Sequence, residues 1–241
     1  MMIPARKAAD MTPEELARYI DQSVLKPEFT DDDIRKYTQE GIDFGCKTIC
    51  INPASLPIVA PMVEGTNTGL CVVADFPFGL ATTEAKEMLT EHYCSKWDIE
   101  DLDIVANYGW LRTGRLDDVV KDLEPVVAAA HKWNTKVKVI IETDSLNLDQ
   151  VAEGTKAAIR AGADFIKTST GFFTGAENKG ATVEVVKTMI EAADGKIAVK
   201  GAGCIRTREH FLELIDLGID RMGIGYRSTP VVLGINPPAD K

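Results

Sequence analysis

Eight short apolar runs, rich in Val and Ile, alternate with longer amphipathic stretches along this chain of 241 residues. Strands that are apolar throughout are typical of a parallel sheet covered by helices. The regular spacing therefore predicts a series of βα units. The predicted strands are Tyr19–Leu25, Lys47–Ile51, Leu70–Phe76, Leu102–Tyr108, Val137–Thr143, Asp164–Thr170, Ile197–Ala202 and Arg221–Gly225.

Residues that start and stop helices lie between these runs. Thr12-Pro13-Glu14-Glu15 has the form of a capping box with proline at the first helical position. Thr30 stands before three aspartates, which favour the positive end of a helix dipole, and Gly41 is expected to close that helix. Later helices are predicted over Asp117–His131, Leu148–Ala161, Thr182–Ala193 and Thr207–Leu217.

Eight βα units can close into a barrel or spread as an open doubly wound sheet. The chain length is close to the roughly 250 residues of a (β/α)8 barrel. No GxGxxG motif follows the early strands, and Gly201–Arg206 begins like that motif but ends in arginine late in the chain. We therefore expect an α/β fold, a single (β/α)8 TIM-barrel domain over residues 1–241, with residues 1–10 as a loose N-terminal segment.

The charge balance limits the classes of partner. Lys and Arg number 27 against 37 Asp and Glu, a net charge of -10, which repels nucleic acids and anionic membranes. The sequence has no apolar run of about 18 residues, as a membrane helix would need, and no apolar core near its start that would indicate a secretory signal. We expect a cytoplasmic protein with neither nucleic-acid nor membrane partners.

The cysteines and histidines give no sign of a metal site. The five cysteines lack CxxC spacing and are odd in number, which predicts free, buried thiols in a reducing compartment. The three histidines are scattered, so a His-rich zinc site is not expected. The cysteines are Cys46, Cys50, Cys71, Cys94 and Cys204.

Charged side chains interrupt three of the apolar strands. Period-two alternation puts Lys167 on one face of its strand with Phe165 and Ser169. In the strands of Lys200 and Asp103 the large aliphatic residues lie on the opposite face. Because aliphatic faces pack outward on helices, Lys167, Lys200 and Asp103 are expected to face the barrel axis.

Buried charges of this kind are costly unless they pair or perform chemistry. A structural ion pair of Asp103 with one lysine would leave the second lysine unexplained. Covalent catalysis would use both, since a lysine must be neutral to attack a carbonyl, and desolvation and a second ammonium both lower the pKa of such an amine. The pattern favours one neutral and one cationic amine, with a carboxylate relaying protons.

Both lysines lie toward the C-terminal ends of their strands, where barrel active sites assemble. Glu142 shares that position on the strand before them. Lys138, near the start of the same strand as Glu142, is expected to be a structural residue at the bottom of the barrel.

Four stretches of the sequence form a recognisable set, and the segment around Lys167 is the most specific of them. Together they resemble the deoxyribose-phosphate aldolase family, and with the strand order the likeness spans residues 19–225. The stretches are Ile20–Pro27, Val137–Thr143, Gly162–Phe172 and Val199–Thr207.

This resemblance implies a class I aldolase that reversibly cleaves 2-deoxy-D-ribose 5-phosphate to D-glyceraldehyde 3-phosphate and acetaldehyde. Lys167 matches the Schiff-base lysine of the family, Lys200 its second lysine and Asp103 its proton-relay carboxylate. The iminium serves as the electron sink, so neither a metal nor an organic cofactor is expected. The expected partners are a small aldehyde and a sugar phosphate, and a homodimer is expected from the general frequency of dimers.

Substrate contacts are expected near the strand ends. Asp21 lies in a segment that resembles one with an active-site aspartate. Late barrel loops commonly bind phosphate through backbone N–H groups, and Arg227 would add a charge-assisted bond. The expected substrate-binding residues are Asp21, Glu142, Thr168, Ser169, Gly203, Cys204, Gly225, Arg227 and Ser228.

The sequence departs from the family at the phosphate end. A Ser-Gly-Gly turn is usual after the second lysine, where this chain has Ala202-Gly203-Cys204, and the usual Ser-Ser turn is replaced by Gly223–Ser228. The loop Gly171–Ala181 looks longer than usual, either as a surface insertion or as a contact to the substrate tail. A different sugar phosphate or an unphosphorylated aldehyde therefore stays open, as does, less favoured, a non-catalytic sugar-phosphate binder.

Overall fold

Eight parallel strands close into a barrel in which each strand pairs with the next in sequence and the last pairs with the first. The structure, a computed structural model, describes residues 6–235. All eight predicted strands are present, and the (β/α)8 prediction is confirmed. The strands are β1 (Ile20–Val24), β2 (Thr48–Ile51), β3 (Gly69–Ala74), β4 (Asp101–Val105), β5 (Lys136–Ile140), β6 (Phe165–Lys167), β7 (Ala198–Ala202) and β8 (Arg221–Gly225).

Helices connect the strands and pack against the outside of the barrel. Short 3-10 turns at Ala8–Asp10, Pro53–Ser55 and Thr143–Ser145 supplement them. Over residues 6–235 the α-helices are α1 (Pro13–Ala17), α2 (Asp31–Asp43), α3 (Leu56–Val63), α4 (Thr83–Cys94), α5 (Tyr108–Arg112), α6 (Leu116–His131), α7 (Leu148–Arg160), α8 (Val183–Ala193), α9 (Arg208–Leu217) and α10 (Thr229–Leu233).

The predicted helix starts are confirmed, but the end of α2 was predicted wrongly. Thr12 and Thr30 both form capping boxes, with the Thr30 side chain accepting from Asp33 N. Gly41 does not close α2; it lies inside the helix, where a Cβ atom would come within 2.5 Å of the Ile49 side chain. The helix continues to Asp43, and Gly45, at φ 72°, makes the turn into β2.

Several predicted strands extend too far at their C-terminal ends. The strand predicted over Leu102–Tyr108 ends at Val105, and the Asn107 side chain then caps α5. Asp75 and Glu142, with φ of 45° and 50°, turn the chain away after β3 and β5. The chain therefore leaves the sheet earlier than its apolar pattern indicates, and the released residues build the loops at the barrel mouth.

The main apolar core lies between the strands and the helices, as the outward aliphatic faces predict. Ile104, Val139 and Ile166 are fully buried there. A small second cluster of Leu25, Cys50, Cys71 and Val73 lies inside the barrel under its mouth. Below this second cluster, the interior of the barrel holds several charged side chains.

The predicted loose N-terminal segment is only partly covered by the described residues. Residues 1–5 lie outside them. Ala8 is buried and its backbone N–H donates to the Asp216 carboxylate at 2.8 Å, which anchors Ala8–Asp10 to α9. Ala8 is therefore anchored, whereas Ala9 and Asp10 are exposed, and the loose segment stays a prediction for the rest of residues 1–10. Within residues 6–235 no helix is long and apolar enough to cross a membrane.

Candidate active site

The two strand lysines meet at one carboxylate in the centre of the barrel. Lys167 and Lys200 are register partners on β6 and β7, which brings their side chains together. The Lys167 Nζ lies 2.8 Å from Asp103 Oδ2, and the Lys200 Nζ lies 2.7 Å from the same oxygen. The structure thus places the three candidate catalytic side chains in direct contact.

A second layer of ion pairs lies beneath this contact. Lys138 Nζ is 2.6 Å from Asp101 Oδ2 and also reaches Asp103 Oδ1 at 3.1 Å. Lys138, expected apart from the site at the bottom of the barrel, therefore contacts the candidate relay carboxylate. Arg221 pairs with Asp21 at 2.7 Å, and Lys200 bridges the layers by a 2.6 Å contact to Asp21 Oδ2.

Four cations and three carboxylates make up this buried network. The cations are the three lysines and Arg221, and the carboxylates are Asp21, Asp101 and Asp103. Lys167 is the lysine nearest the mouth, since its side chain is 4 % exposed while those of Lys138 and Lys200 are fully buried. One positive charge is thus in excess.

Burial and pairing act in opposite directions on these groups. Burial disfavours the ionised Asp103 carboxyl, but the three lysines around it outweigh burial and hold its pKa well below the usual range. The pKa of Lys200 is likewise raised above its ordinary value, because Asp103 and Asp21 outweigh the desolvation of its ammonium. We infer that in the resting site, before substrate binds, Asp103 is a carboxylate and Lys200 is a cation.

A cavity of about 230 Å³ opens above Lys167 at the C-terminal ends of the strands, the end at which barrel active sites lie. Among its described lining residues three are cations, Lys167, Lys26 and Arg206, and none is a carboxylate. The cavity therefore favours an anionic ligand. Four of the predicted substrate-binding residues line it, namely Gly203, Cys204, Gly225 and Ser228.

Other predicted substrate-binding residues lie outside this cavity lining. Asp21 is fully buried in the lower ionic layer, where it also accepts a hydrogen bond from Thr48. The Thr168 hydroxyl bridges to the backbone of Ala202, and the Ser169 hydroxyl is hydrogen-bonded to Thr143. These hydrogen bonds connect the C-terminal ends of neighbouring strands next to the cavity.

Comparison with known proteins agrees with this geometry. Residues 16–227 match the family model described as DeoC/LacD family aldolase. The chain belongs to this family. It is therefore an enzyme, a carbon–carbon lyase of the aldolase type, and the alternative of a non-catalytic binder is wrong.

Named relatives cover nearly the whole chain. The deoxyribose-phosphate aldolase of Staphylococcus saprophyticus is 39% identical over 224 residues, 93% of this chain and 98% of that protein. The one from Thermococcus kodakarensis is 40% identical over 215 residues, 88% and 94% of the two chains. Among solved structures, the aldolase QR15 matches with a TM-score of 0.82 and 31% identity over 90% of this chain and 94% of its own. The tetrameric deoxyribose phosphate aldolase of Aeropyrum pernix matches with a TM-score of 0.82 and 28% identity over 92% and 91%.

The turn after β8 in this aldolase holds a cluster of aromatic side chains. The Tyr226 ring packs on Tyr37, with ring centroids 3.9 Å apart, and on the edge of Phe29 at 5.3 Å. Arg227 is exposed and lies over the Tyr226 ring rather than in the cavity lining. Arg206, which follows the Cys204 turn, is the arginine that lines the cavity among its described lining residues, and the Arg227 substrate contact stays a prediction.

The loop Gly171–Ala181 is anchored to the mouth of the aldolase barrel. The backbone N–H groups of Lys179 and Gly180 donate to the Asp144 carboxylate at 2.9 and 3.1 Å. The Cys204 thiol donates to Asn178 O at 3.1 Å. Gly180 packs so closely on the Gly203 backbone that a Cβ atom would come within 2.3 Å of Gly203 O. The base of the loop is therefore part of the mouth, although its middle is exposed.

Glu142 holds the other end of the same loop. Its carboxylate accepts hydrogen bonds from the Thr170 N–H at 3.2 Å and from the Thr170 hydroxyl, whose oxygen in turn accepts from Phe172 N at 3.0 Å. Burial raises the pKa of the Glu142 carboxyl above its usual value even though the Thr170 hydrogen bonds oppose the shift. Glu142 thus contacts Thr170, a cavity-lining residue directly before the loop, and does not line the cavity itself.

Sequence reasoning missed Lys26, Arg206 and Phe172 as cavity-lining residues. Lys26 and Phe172 stand in the stretches that carry the family resemblance, directly after β1 and shortly after β6. Their position just beyond a strand end is the signal that would have identified them.

The raised pKa of Glu142 predicts how stability depends on pH. The folded protein favours the protonated form, so Glu142 contributes stability that is fully present below its unfolded pKa of about 4.3 and is lost as pH rises through the folded value. Relative to Glu142→Gln, the wild type should therefore lose free energy of unfolding between about pH 4 and neutrality. Urea unfolding of both proteins across this range measures the difference, and parallel pH curves would contradict the assignment.

Proposed function

We propose that this aldolase reversibly cleaves 2-deoxy-D-ribose 5-phosphate to D-glyceraldehyde 3-phosphate and acetaldehyde through a Schiff base on Lys167. The observation that carries the proposal is the contact of Lys167 and Lys200 with one oxygen of Asp103, directly beneath a cavity lined by cations. Structural pairing with the three buried carboxylates accounts for three of the four cations in this network and leaves one over.

The charge count supports Lys167 as the covalent amine. A carbonyl is attacked by a neutral amine, so the nucleophile must give up its proton. Loss of a proton from Lys167 leaves three cations against three carboxylates in the network, and Lys167 is the member nearest the cavity. Lys200, which contacts two carboxylates, keeps its charge.

In the synthetic direction the Lys167 amine adds to acetaldehyde, and the carbinolamine loses water to give an iminium. Loss of a proton from the methyl carbon then gives an enamine, whose carbon attacks the acceptor aldehyde. Hydrolysis of the new iminium frees Lys167. Asp103, held between the two amines, is positioned to pass protons between Lys167, Lys200 and the substrate or a water molecule.

The cavity lining supports a phosphorylated substrate. Lys26 and Arg206 add positive charge around the mouth of a protein whose net charge is -10. A phosphate group on the acceptor aldehyde would gain charge-assisted hydrogen bonds there. The names of the Staphylococcus saprophyticus and Thermococcus kodakarensis relatives point to the same substrate.

The altered turns favour a second candidate, a Schiff-base aldolase for another sugar phosphate or an unphosphorylated aldehyde. Cys204 occupies a left-handed backbone position, φ 58°, where the family usually has glycine. Its side chain and the Tyr226 cluster add bulk at the end of the cavity where the substrate tail would lie.

Borohydride trapping tests the covalent step. Acetaldehyde followed by borohydride should attach one ethyl group to Lys167 and abolish activity, because reduction fixes the imine as a secondary amine. Peptide mass spectrometry locates the modified residue. Lys167→Met should give no adduct at this position, and Lys187→Met, on the exposed face of α8, is the matched control that should be trapped like the wild type.

An unmodified Lys167 peptide in a protein that still cleaves the sugar phosphate would overturn the mechanism. An ethyl group on Lys200 instead would move the nucleophile to the other lysine and contradict the inference that Lys200 stays a cation.

The phosphate preference separates the two candidate functions. The kcat/KM for 2-deoxyribose 5-phosphate should exceed that for 2-deoxyribose by at least about 10- to 100-fold, the worth of one hydrogen bond to a charged group. Arg206→Met should reduce this ratio, whereas Arg227→Met should leave it nearly unchanged because Arg227 lies over Tyr226. Equal kcat/KM values for the two sugars would favour the second candidate.

A further inference from the structure

Two cysteines face each other inside the barrel, beside the candidate relay carboxylate. Cys50 on β2 and Cys71 on β3 are register partners on adjacent parallel strands. Their Sγ atoms lie 3.5 Å apart, and Cys71 Sγ lies 3.3 Å from Asp103 Oδ1. Neighbouring strands are separated by about 4.8 Å, a Cα spacing within the range of about 4.4–6.8 Å that disulfides span.

The two thiols are chemically unequal. The hydrogen bond from Cys71 lowers the pKa of the Cys50 thiol, while burial raises the pKa of Cys71 well above its usual value. Of the two thiols, Cys50 therefore ionises more readily to the thiolate, the form that reacts with oxidants. Cys46, elsewhere in the core, contrasts with this pair, since burial raises the pKa of its thiol to about 12.

The pair lies directly under the mouth. Leu25 and Phe172, which line the cavity above Lys167, also pack on the cluster that contains both cysteines. The cluster that contains both cysteines thus adjoins the substrate cavity through these two side chains. Lys167 is similarly buried, and the proposed substrate must reach it through the same cavity.

We propose that Cys50 and Cys71 form a site of oxidative modification, at which hydrogen peroxide produces a reversible disulfide that disturbs Asp103 and switches off the aldolase. The covalent modification stands on the cysteine geometry alone. Its effect on activity rests on the proposed function.

The reaction balances in two steps. The Cys50 thiolate attacks peroxide, the O–O bond breaks, and with one proton the products are the Cys50 sulfenic acid and water. The Cys71 thiol then displaces hydroxide from the Cys50 sulfur and gives up its proton to it, forming the S–S bond and a second water. Together the two sulfurs lose two electrons, and the two peroxide oxygens gain them.

The disulfide would act on the site through Asp103. In the reduced pair the single Cys71 S–H can donate either to Cys50 Sγ or to Asp103 Oδ1, and the disulfide has no thiol proton for either acceptor. Closing the sulfur separation from 3.5 Å to about 2.05 Å also requires the side chains next to Asp103 to shift. A misplacement of about 1 Å in an active site can cost about 100-fold in rate.

The test is treatment of the full chain with hydrogen peroxide, followed by alkylation of the remaining thiols and non-reducing peptide mass spectrometry. After cleavage at Glu64, which lies between the two cysteines, we expect one cross-linked peptide pair that contains Cys50 and Cys71. Cleavage of 2-deoxyribose 5-phosphate should fall by about 100-fold and return on addition of dithiothreitol.

Cys71→Ser keeps a hydroxyl near Asp103 but cannot form the bridge. Peroxide should then cause no loss of activity that dithiothreitol reverses, each protein being compared with its own untreated sample. Cys94→Ser, which removes a buried thiol on α4 at the outside of the barrel, is the matched control and should form the cross-link and lose activity like the wild type.

Three results would overturn the proposal. The first is a sample in which Cys204 is already oxidised but the Cys50–Cys71 cross-link is absent. The second is oxidation of Cys50 only to the sulfinic acid. The third is a reversible loss of activity in Cys71→Ser that equals the loss in the wild type. Failure of the proposed function is distinguishable, because a protein without aldolase activity on this substrate would still give the cross-linked peptide.

Discussion

The structure depends on one carboxylate, Asp103, that accepts hydrogen bonds from two lysines at the same oxygen and from a third at the other. All of these groups are removed from water, so each charge must be compensated by its neighbours. Removal of one partner from such a buried network typically costs about 3–5 kcal/mol. The barrel interior is thus held by ion pairs, and the apolar core lies outside it.

The ion pairs around Asp103 stabilise the barrel interior and also set the charge of the candidate nucleophile, Lys167. Lys138 and Arg221 compensate the lower carboxylates and lie away from the cavity, whereas Lys167 adds a charge that the carboxylates do not need. Lys200 lies between the two layers and contacts both Asp21 and Asp103. Structural pairing does not require this additional cation beside the cavity. A nucleophilic amine, in contrast, must lose its charge before it reacts, and the network stays balanced when it does.

Much of the fold and the centre of the site follow from the sequence. The strand pattern predicts the barrel, and alternation around Lys167, Lys200 and Asp103 predicts that their side chains point inward, since both depend on local periodicity. The reach of Lys138 to Asp103 is not local, because it depends on the register of β4 with β5 and on a long side chain that can extend along the barrel axis.

Three other features depend on contacts between residues that are distant in sequence, so the local sequence pattern does not predict them. Gly41 resembles a helix stop but is needed for the close approach of Ile49. The proximity of Cys50 and Cys71 arises from the pairing of β2 with β3. Arg206 lines the cavity, whereas Arg227 lies over the Tyr226 ring, and neither position follows from the local sequence.

The free energies of unfolding of Lys167→Met and Lys200→Met, compared with the wild type at neutral pH, test the central claim most directly. If Lys167 is the surplus cation, Lys167→Met should unfold within about 1 kcal/mol of the wild type or be more stable, and Lys200→Met should lose about 3–5 kcal/mol. Equal losses in the two variants would show that the network needs both charges alike, and the account of Lys167 as its uncompensated amine would be wrong.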